Sequence, residues 1–168
     1  MRIIGIDGAT NKTGIALFED GNYLEHILID LSKDTNSQTR IPKMMLEICK
    51  YIKAHNPDKV IMEKSMLKNN IDTVQKLSNL AGAVMLYCYS KGIKFEHRYP
   101  TEWRKVVGLT QNSHIKKEVL KAEAVAAVRQ EYGMELTHDE AESVLIARSG
   151  FELPKIVLNN SVLTIQND

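Results

Sequence analysis

The feature that most narrows the fold is the stretch Arg2–Asp7, RIIGID, where Ile3, Ile4 and Ile6 place apolar side chains on both alternating faces before a carboxylate closes the run. β-Branched side chains favour an extended backbone. An extended run that is apolar on both faces has to be covered on both sides, so it belongs inside a layered sheet rather than at a wet surface. Gly8–Thr13 then makes a turn. Gly14–Phe18 and Tyr23–Ile29, joined through Asp20-Gly21-Asn22, read as two further strands of an antiparallel meander.

Beyond the meander the period changes. Ile41, Met44, Met45, Ile48 and Ile52 fall at helical spacing between Thr39 and His55, and Asn56-Pro57 stops that helix. Lys59–Glu63 is a short buried strand. A helix opening at Asp72 closes at Gly92, Ile93–His97 is a fifth strand, and Ser113–Glu131 and Asp139–Arg148 are two more helices. The order β-β-β-α-β-α-β-α-α predicts an α/β fold: a five-stranded mixed sheet, strands one to three antiparallel, flanked by helices. A length of 168 residues suits one domain over residues 1–150, with 151–168 a tail that packs on it or extends it. Within the tail, Pro154–Asp168 reads as a short hairpin or strand. Leu80–Tyr89, the longest nearly apolar run, falls short of the roughly 20 residues that span a bilayer, so no membrane is expected as a partner. MRIIGID has no apolar secretory core, and Cys49 and Cys88 stand alone in apolar surroundings as buried thiols. Both point to the cytoplasm.

Acids stand where elements begin or end. Asp7 closes the first strand and Glu63 the fourth. Asp139 and Glu142, three apart at the start of the last helix, project from one face. A crossover after the meander makes strands one and four neighbours, which brings Asp7 and Glu63 to the same sheet end. Each acid alone has an ordinary explanation: Asp7 as a turn former, Glu63 as a solvated strand end, and the helical acids as partners of the helix dipole beside the Thr137/Glu140 capping box. Together they form a concentration of negative charge that divalent cations neutralise, and hard oxygen ligands suit Mg2+ or Mn2+. Such a cluster supports metal-assisted hydrolysis of a phosphodiester. His138 reads as a loop residue just before the last helix.

These residues carry a family resemblance. IIGIDGATNKTGIALF resembles the first two strands of the RuvC-type Holliday-junction endonucleases, and VIMEKS resembles the strand bearing their second catalytic acid. TVQKLSNLAGAVMLYCYSKGIKFEHRYPTEWRKVVGL is similar to their long helix, next strand and basic Val-Val-Gly segment, and HDEAESVLIA to their final helix. The match runs in order from about residue 2 to residue 149. It implies an RNase H-like fold, a homodimer, Mg2+ and symmetric nicking of branched DNA, with Asp7, Glu63, Asp139 and Glu142 as both catalytic residues and metal ligands. Departures are Gly8-Ala9 where the family often has Pro-Gly, Glu142 where it often has Asp, and Met66 where junction-opening members carry a stacking Phe. The resemblance extends to the family's phage-encoded branch, whose short members imply a broader set of branched substrates than the four-way junction.

Formal net charge is only +1, which at first argues against a polyanionic partner. Its distribution argues the opposite. Lys91–Arg129 holds nine Lys and Arg against four Glu, a net +5, which leaves −4 for the rest, including all four candidate acids. His114, Lys117 and Lys121 share one helical face opposite Ile115, Val119, Ala122 and Ala126. With Arg104, Lys105, Lys116 and Met66 they are the expected DNA contacts. Trp103 is either a stacking platform or a core indole. Two rivals remain: a junction-binding scaffold with only a structural cation, and an actin-like phosphotransferase, whose first phosphate loop IGIDGATNKTG also resembles. The second needs two domains, and the chain supplies about one.

Overall fold

The computed structural model describes residues 1–65, 71–112 and 115–159. The strands are β1 (Arg2–Asp7), β2 (Lys12–Glu19), β3 (Asn22–Asp30), β4 (Lys59–Glu63) and β5 (Lys94–Arg98). The helices are α1 (Ser37–His55), α2 (Ile71–Ser90), α3 (Pro100–Val107), α4 (Lys117–Tyr132) and α5 (His138–Arg148). The sheet order is β3-β2-β1-β4-β5. β1 and β3 flank β2 antiparallel, while β4 runs parallel to both β1 and β5. The mixed five-stranded sheet expected from the sequence is present, with the isoleucine strand in its middle. No helix among the described residues is long and apolar enough to cross a membrane.

Local chemistry explains the boundaries. Asp20 and Gly21 both take positive φ, 50° and 83°, as a two-residue hairpin turn requires, and that turn sets the β2–β3 pairing as far as Phe18 and Tyr23, beyond which the register shifts by a residue. Asn36 caps α1 by accepting the Gln38 N–H at 2.9 Å, and Asn56 ends the helix at φ 43°. Met44, Ile48 and Ile52, successive turns of one stripe, are fully buried. Each contributes about 1.5–3 kcal/mol through removal from water. β1 divides the core: Ile4 and Ile6 join α1 and α2 on one face, whereas Ile3 joins α3, α4 and α5 on the other.

Three expectations need correction. The segment 100–107 is a helix, α3, that hydropathy did not single out. Pro100 opens it, and Gly108, at φ 94°, ends it in a left-handed conformation. The predicted helix from Ser113 starts instead at Lys117, and its buried face is Ala124, Ala127 and Val128; Val119 is 46% exposed. An alanine-rich stretch, AEAVAA, offers a packable surface on almost any side, so hydropathy does not choose the face. The described part of the tail forms no strand. Ile156 instead plugs the core and donates its N–H to the Val107 carbonyl at 2.8 Å, and Gln130 bonds to the backbone of Val157 and Asn159.

What places α5 on the sheet is the absence of side chains beneath it. A Cβ on Gly5 would lie 2.2 Å from the Ala147 nitrogen and 2.5 Å from the Ser143 carbonyl oxygen. One on Gly14 would lie 2.1 Å from the Asp139 carbonyl oxygen. The helix backbone therefore rests directly on β1 and β2. Gly5→Ala should force α5 away and lower the unfolding free energy by on the order of 1–3 kcal/mol, the usual range for overpacking. The expected sign is a lower urea midpoint at unchanged slope. An unchanged midpoint would show that α5 does not depend on this contact.

Candidate metal centre and nucleic-acid cleft

The β1–β4 register pairs Ile6 with Met62, so the next residues, Asp7 and Glu63, stand at the same end of adjacent parallel strands. The turn after Asp7 is pinned by the buried Thr13, whose hydroxyl donates to the Ala9 carbonyl at 2.8 Å and accepts the Ala9 N–H at 3.2 Å. α5 supplies the other two acids. Its N-terminus is closed by the capping box foreseen in the sequence: Glu140 accepts the Thr137 N–H at 3.0 Å and also the Thr137 hydroxyl. With Gly14 letting the first turn down onto β2, Asp139 and Glu142 reach the end of β1. One carboxylate oxygen from each of Asp7, Asp139 and Glu142 lies within 4.8 Å of the others. Glu63 stands beside this trio rather than within it, with its Oε2 taking the indole N–H of Trp103 at 2.8 Å.

The electrostatics follow from crowding acids in a partly desolvated place. Burial, then the charges of Glu63, Glu142 and Asp139, hold the Asp7 carboxyl well above the usual carboxylate range. Burial and then Glu63 push Glu142 up to about 7, against the opposing pull of Lys121, Arg104 and Lys117. Burial also raises Glu63, but the Trp103 hydrogen bond and the same three cations favour its charged form. The protein's own bases therefore leave residual negative charge at the site, and its donors are all carboxylate oxygens. That combination fits a hard divalent cation.

Around the acids runs a cleft of about 740 Å³ that also takes in Lys117 and Lys121. Of the other expected DNA contacts, Lys105 and Lys116 are exposed but do not line it. Met66 and His114 lie outside the described residues. Arg104 is corrected: although it borders the cleft, it is 3% exposed, donates to the Thr110 carbonyl at 2.6 Å and ion-pairs with Glu123. A guanidinium buried and committed to these two partners braces the loop after α3 rather than standing out as a phosphate contact. Trp103 is a core indole, fully buried, and it also touches the acid site. His138 begins α5, with Nε2 3.5 Å from an Asp139 oxygen. Two cleft lysines escaped the sequence reading, Lys12 and Lys64. Lys12 opens β2 and ion-pairs with Asp30 at 3.0 Å, and Lys64 directly follows Glu63 at the end of β4, positions that mark them in retrospect.

A family model described as crossover junction endodeoxyribonuclease RuvC matches residues 3–131. The chain belongs to the RuvC family. The RuvC of Salinibacter ruber is 24% identical over 151 residues, covering 88% of this chain and 83% of that protein. The RuvC of Thermotoga petrophila is 28% identical over 106 residues, covering 61% and 64%. In structure, Thermus thermophilus RuvC in complex with a Holliday junction substrate superposes with a TM-score of 0.70 at 16% identity, covering 89% of this chain and 91% of that one. A fowlpox virus resolvase in complex with Holliday junction DNA gives 0.61 at 16% identity, covering 89% and 96%. The fold is thus the RNase H-like one that RuvC resolvases share.

The raised acids make a signed prediction. Glu142 ionises near 4.5 in the unfolded chain and near 7 in the fold. The folded state holds that proton more tightly, so the contribution of Glu142 to metal-free stability is full below about 4.5 and is lost as pH rises through about 7. Glu142→Gln abolishes this ionisation. In the presence of a chelator, the melting temperature of wild type relative to Glu142→Gln should fall from about pH 5 to about pH 8. A difference that stays constant would mean Glu142 is under no such strain.

Proposed function

We propose that this RuvC-family chain is a divalent-cation-dependent endodeoxyribonuclease that nicks Holliday junctions and related branched DNA. The observation that carries the reading is the convergence of Asp7, Asp139 and Glu142 oxygens within 4.8 Å, with Glu63 alongside, on the floor of a cleft bordered by lysines. The relatives named as crossover junction endodeoxyribonucleases, and the resolvases solved with junction DNA, support the same substrate.

Asp7, Glu63, Asp139 and Glu142 would hold Mg2+, or Mn2+ in its place. When bound, a pair of such cations supplies charge stabilisation at the attacking and leaving oxygens of a phosphodiester. Lys117 and Lys121, one helical turn apart on α4, hold the phosphate backbone over the acids and fix its register without reading bases. In the reaction a water oxygen bonds to phosphorus and the bond to the 3′ oxygen breaks, leaving 5′-phosphate and 3′-hydroxyl ends. Asp7 is central because its neighbours on β4 and α5 approach it from two sides.

The test is a synthetic four-way junction with Mg2+. Wild type should introduce paired nicks, and Asp7→Asn should bind the junction with similar affinity while cleaving at least a hundredfold more slowly, on the order of what the loss of a charge-stabilising group brings. Cleavage of linear duplex in preference to the junction would overturn the resolvase reading. Binding without nicking by wild type in both Mg2+ and Mn2+ would favour the scaffold.

Symmetric nicking needs two sites, and α2 offers the surface for a second copy. Met85, Leu86 and Tyr89 on its outer side are 48%, 67% and 84% exposed, while Leu80, Val84 and Cys88 face the core. An apolar outer stripe on a helix already packed on its inner face suits a two-fold, self-complementary contact. Leu86→Glu should shift sedimentation from dimer to monomer and replace paired nicks with unpaired ones. A wild-type chain that sediments as a monomer at micromolar concentration would exclude the dimer.

A further inference from the structure

Trp103 occupies a position that neither packing nor DNA contact explains by itself. Its ring is fully buried among Ile3, Ile61 and Leu145, on the sheet face covered by α5. A buried indole N–H needs an acceptor, and a backbone carbonyl would have served. Here the acceptor is Oε2 of Glu63, 2.8 Å away, an acid on the floor of the cleft. Among the described residues this is the hydrogen bond that Glu63 receives.

The ring cannot readily turn away. The Arg104 guanidinium lies 5.2 Å from its centroid, and Arg104 is itself tied to Glu123 and to the Thr110 carbonyl. α3, which carries both residues, is fixed at its start by the Tyr99 N–H donating to Glu102 at 2.7 Å and at its end by the left-handed Gly108. Donor direction is therefore set by the core, and Glu63 is held in the orientation that meets it. Oε2 is engaged and Oε1 is left as the unshared oxygen. The oxygen trio of Asp7, Asp139 and Glu142 stands complete without Glu63.

We propose that Trp103 is a positioning residue for the metal centre: its indole N–H restrains Glu63 to present one oxygen, and so sets the affinity of the cation that Glu63 helps to hold, while the Asp7–Asp139–Glu142 trio binds its cation independently. This rests on the divalent-cation reading above. Partners that orient a metal ligand through its second atom commonly change metal affinity by about 10–100-fold when removed. Phe keeps most of the ring and loses only the donor.

The chain has a single tryptophan, so its emission reports on the surroundings of Trp103 alone, the hydrogen bond to Glu63 among them. The full-length protein without DNA is titrated with Mn2+ by calorimetry and with Mg2+ by tryptophan fluorescence. Trp103→Phe, with an unaltered circular dichroism spectrum, is expected to weaken one Mn2+ step by roughly tenfold or more and leave the tighter step unchanged. Cleavage should then need correspondingly more Mg2+, with kcat largely recovered at saturation. Wild-type emission should change with Mg2+, and Glu63→Gln, which keeps an acceptor for the indole but loses the ligand charge, should abolish that change. Equal Mn2+ isotherms for wild type and Trp103→Phe, or an emission change that persists in Glu63→Gln, overturns the proposal. If Trp103→Phe does not fold, the fluorescence comparison of wild type with Glu63→Gln decides. Mn2+ binding to wild type with a silent tryptophan defeats only the role of Trp103; no Mn2+ binding defeats the metal reading with it.

Discussion

A helix lying on bare backbone is the contact on which the rest depends. α5 meets β1 and β2 where Gly5 and Gly14 have no Cβ, and a methyl group at either would enter the helix backbone. Ordinary helix-on-sheet packing keeps side chains between the two layers. Removing them here lowers the start of α5 until Asp139 and Glu142, which leave the helix from its first turn and a half, reach Asp7. Glycine in a strand weakens it by loss of packing and gain of unfolded-state entropy. In this sheet that weakness is offset by the close seat of a helix that is buried from its second turn onward, with Ala141 and Ser143 through Arg148 all enclosed.

That seat creates an electrostatic problem, which the next helix partly relieves. Acids from β1, β4 and α5 are pressed together away from bulk water, and the rise in the Asp7 and Glu142 ionisation ranges expresses first their burial and then their mutual repulsion. α4 answers with Lys117 and Lys121, whose fields oppose those shifts without contact close enough to cancel them. A complete ion pair would have silenced the site. Lysines held at a distance leave the acids with unspent negative charge and remain free to meet phosphate. The net charge of +1 is the sum of these two opposed regions and describes neither.

The sequence disclosed the parts of this arrangement that depend on local pattern. β1 is legible because three isoleucines in a run of six residues allow little else, and the β2–β3 turn because Asp20-Gly21 can take the positive φ values it needs. Thr137 and Glu140 announce the start of α5, and with it the placement of Asp139 and Glu142. Other parts were hidden for physical reasons. α3 spans only eight residues, too few for a periodic signal, though Pro100 and Gly108 bracket it. The packed face of α4 was misplaced because alanine has little preference for one side. Arg104 carries a charge that counts as surface in any tally of bases, and only the fold reveals Glu123 one helix away. Gly5 and Gly14 were visible as letters, but their meaning lies in what approaches them.

Trp103 and Arg104 show how neighbours on one short helix can divide a task that neither announces. Successive residues on a helix point about 100° apart, so one side chain turns toward the sheet end and the other toward α4. Trp103 thereby grips Glu63 of β4, while Arg104 grips Glu123 of α4 and the Thr110 carbonyl of the loop leading to it. Thr110 returns two hydrogen bonds to the same Glu123, at 3.0 and 2.7 Å. The bases of α4 and the acid of β4 are thus referred to a common rigid piece, and a shift of α3 would move both relative to Asp7. A candidate site assembled from β1, β4 and α5, distant in sequence, benefits from such a common reference, because positioning of a functional constellation tolerates displacements of only about 0.5 Å. A loop in place of α3, without the caps supplied by Pro100, Glu102 and Gly108, would leave the acidic and basic halves of the cleft to drift independently.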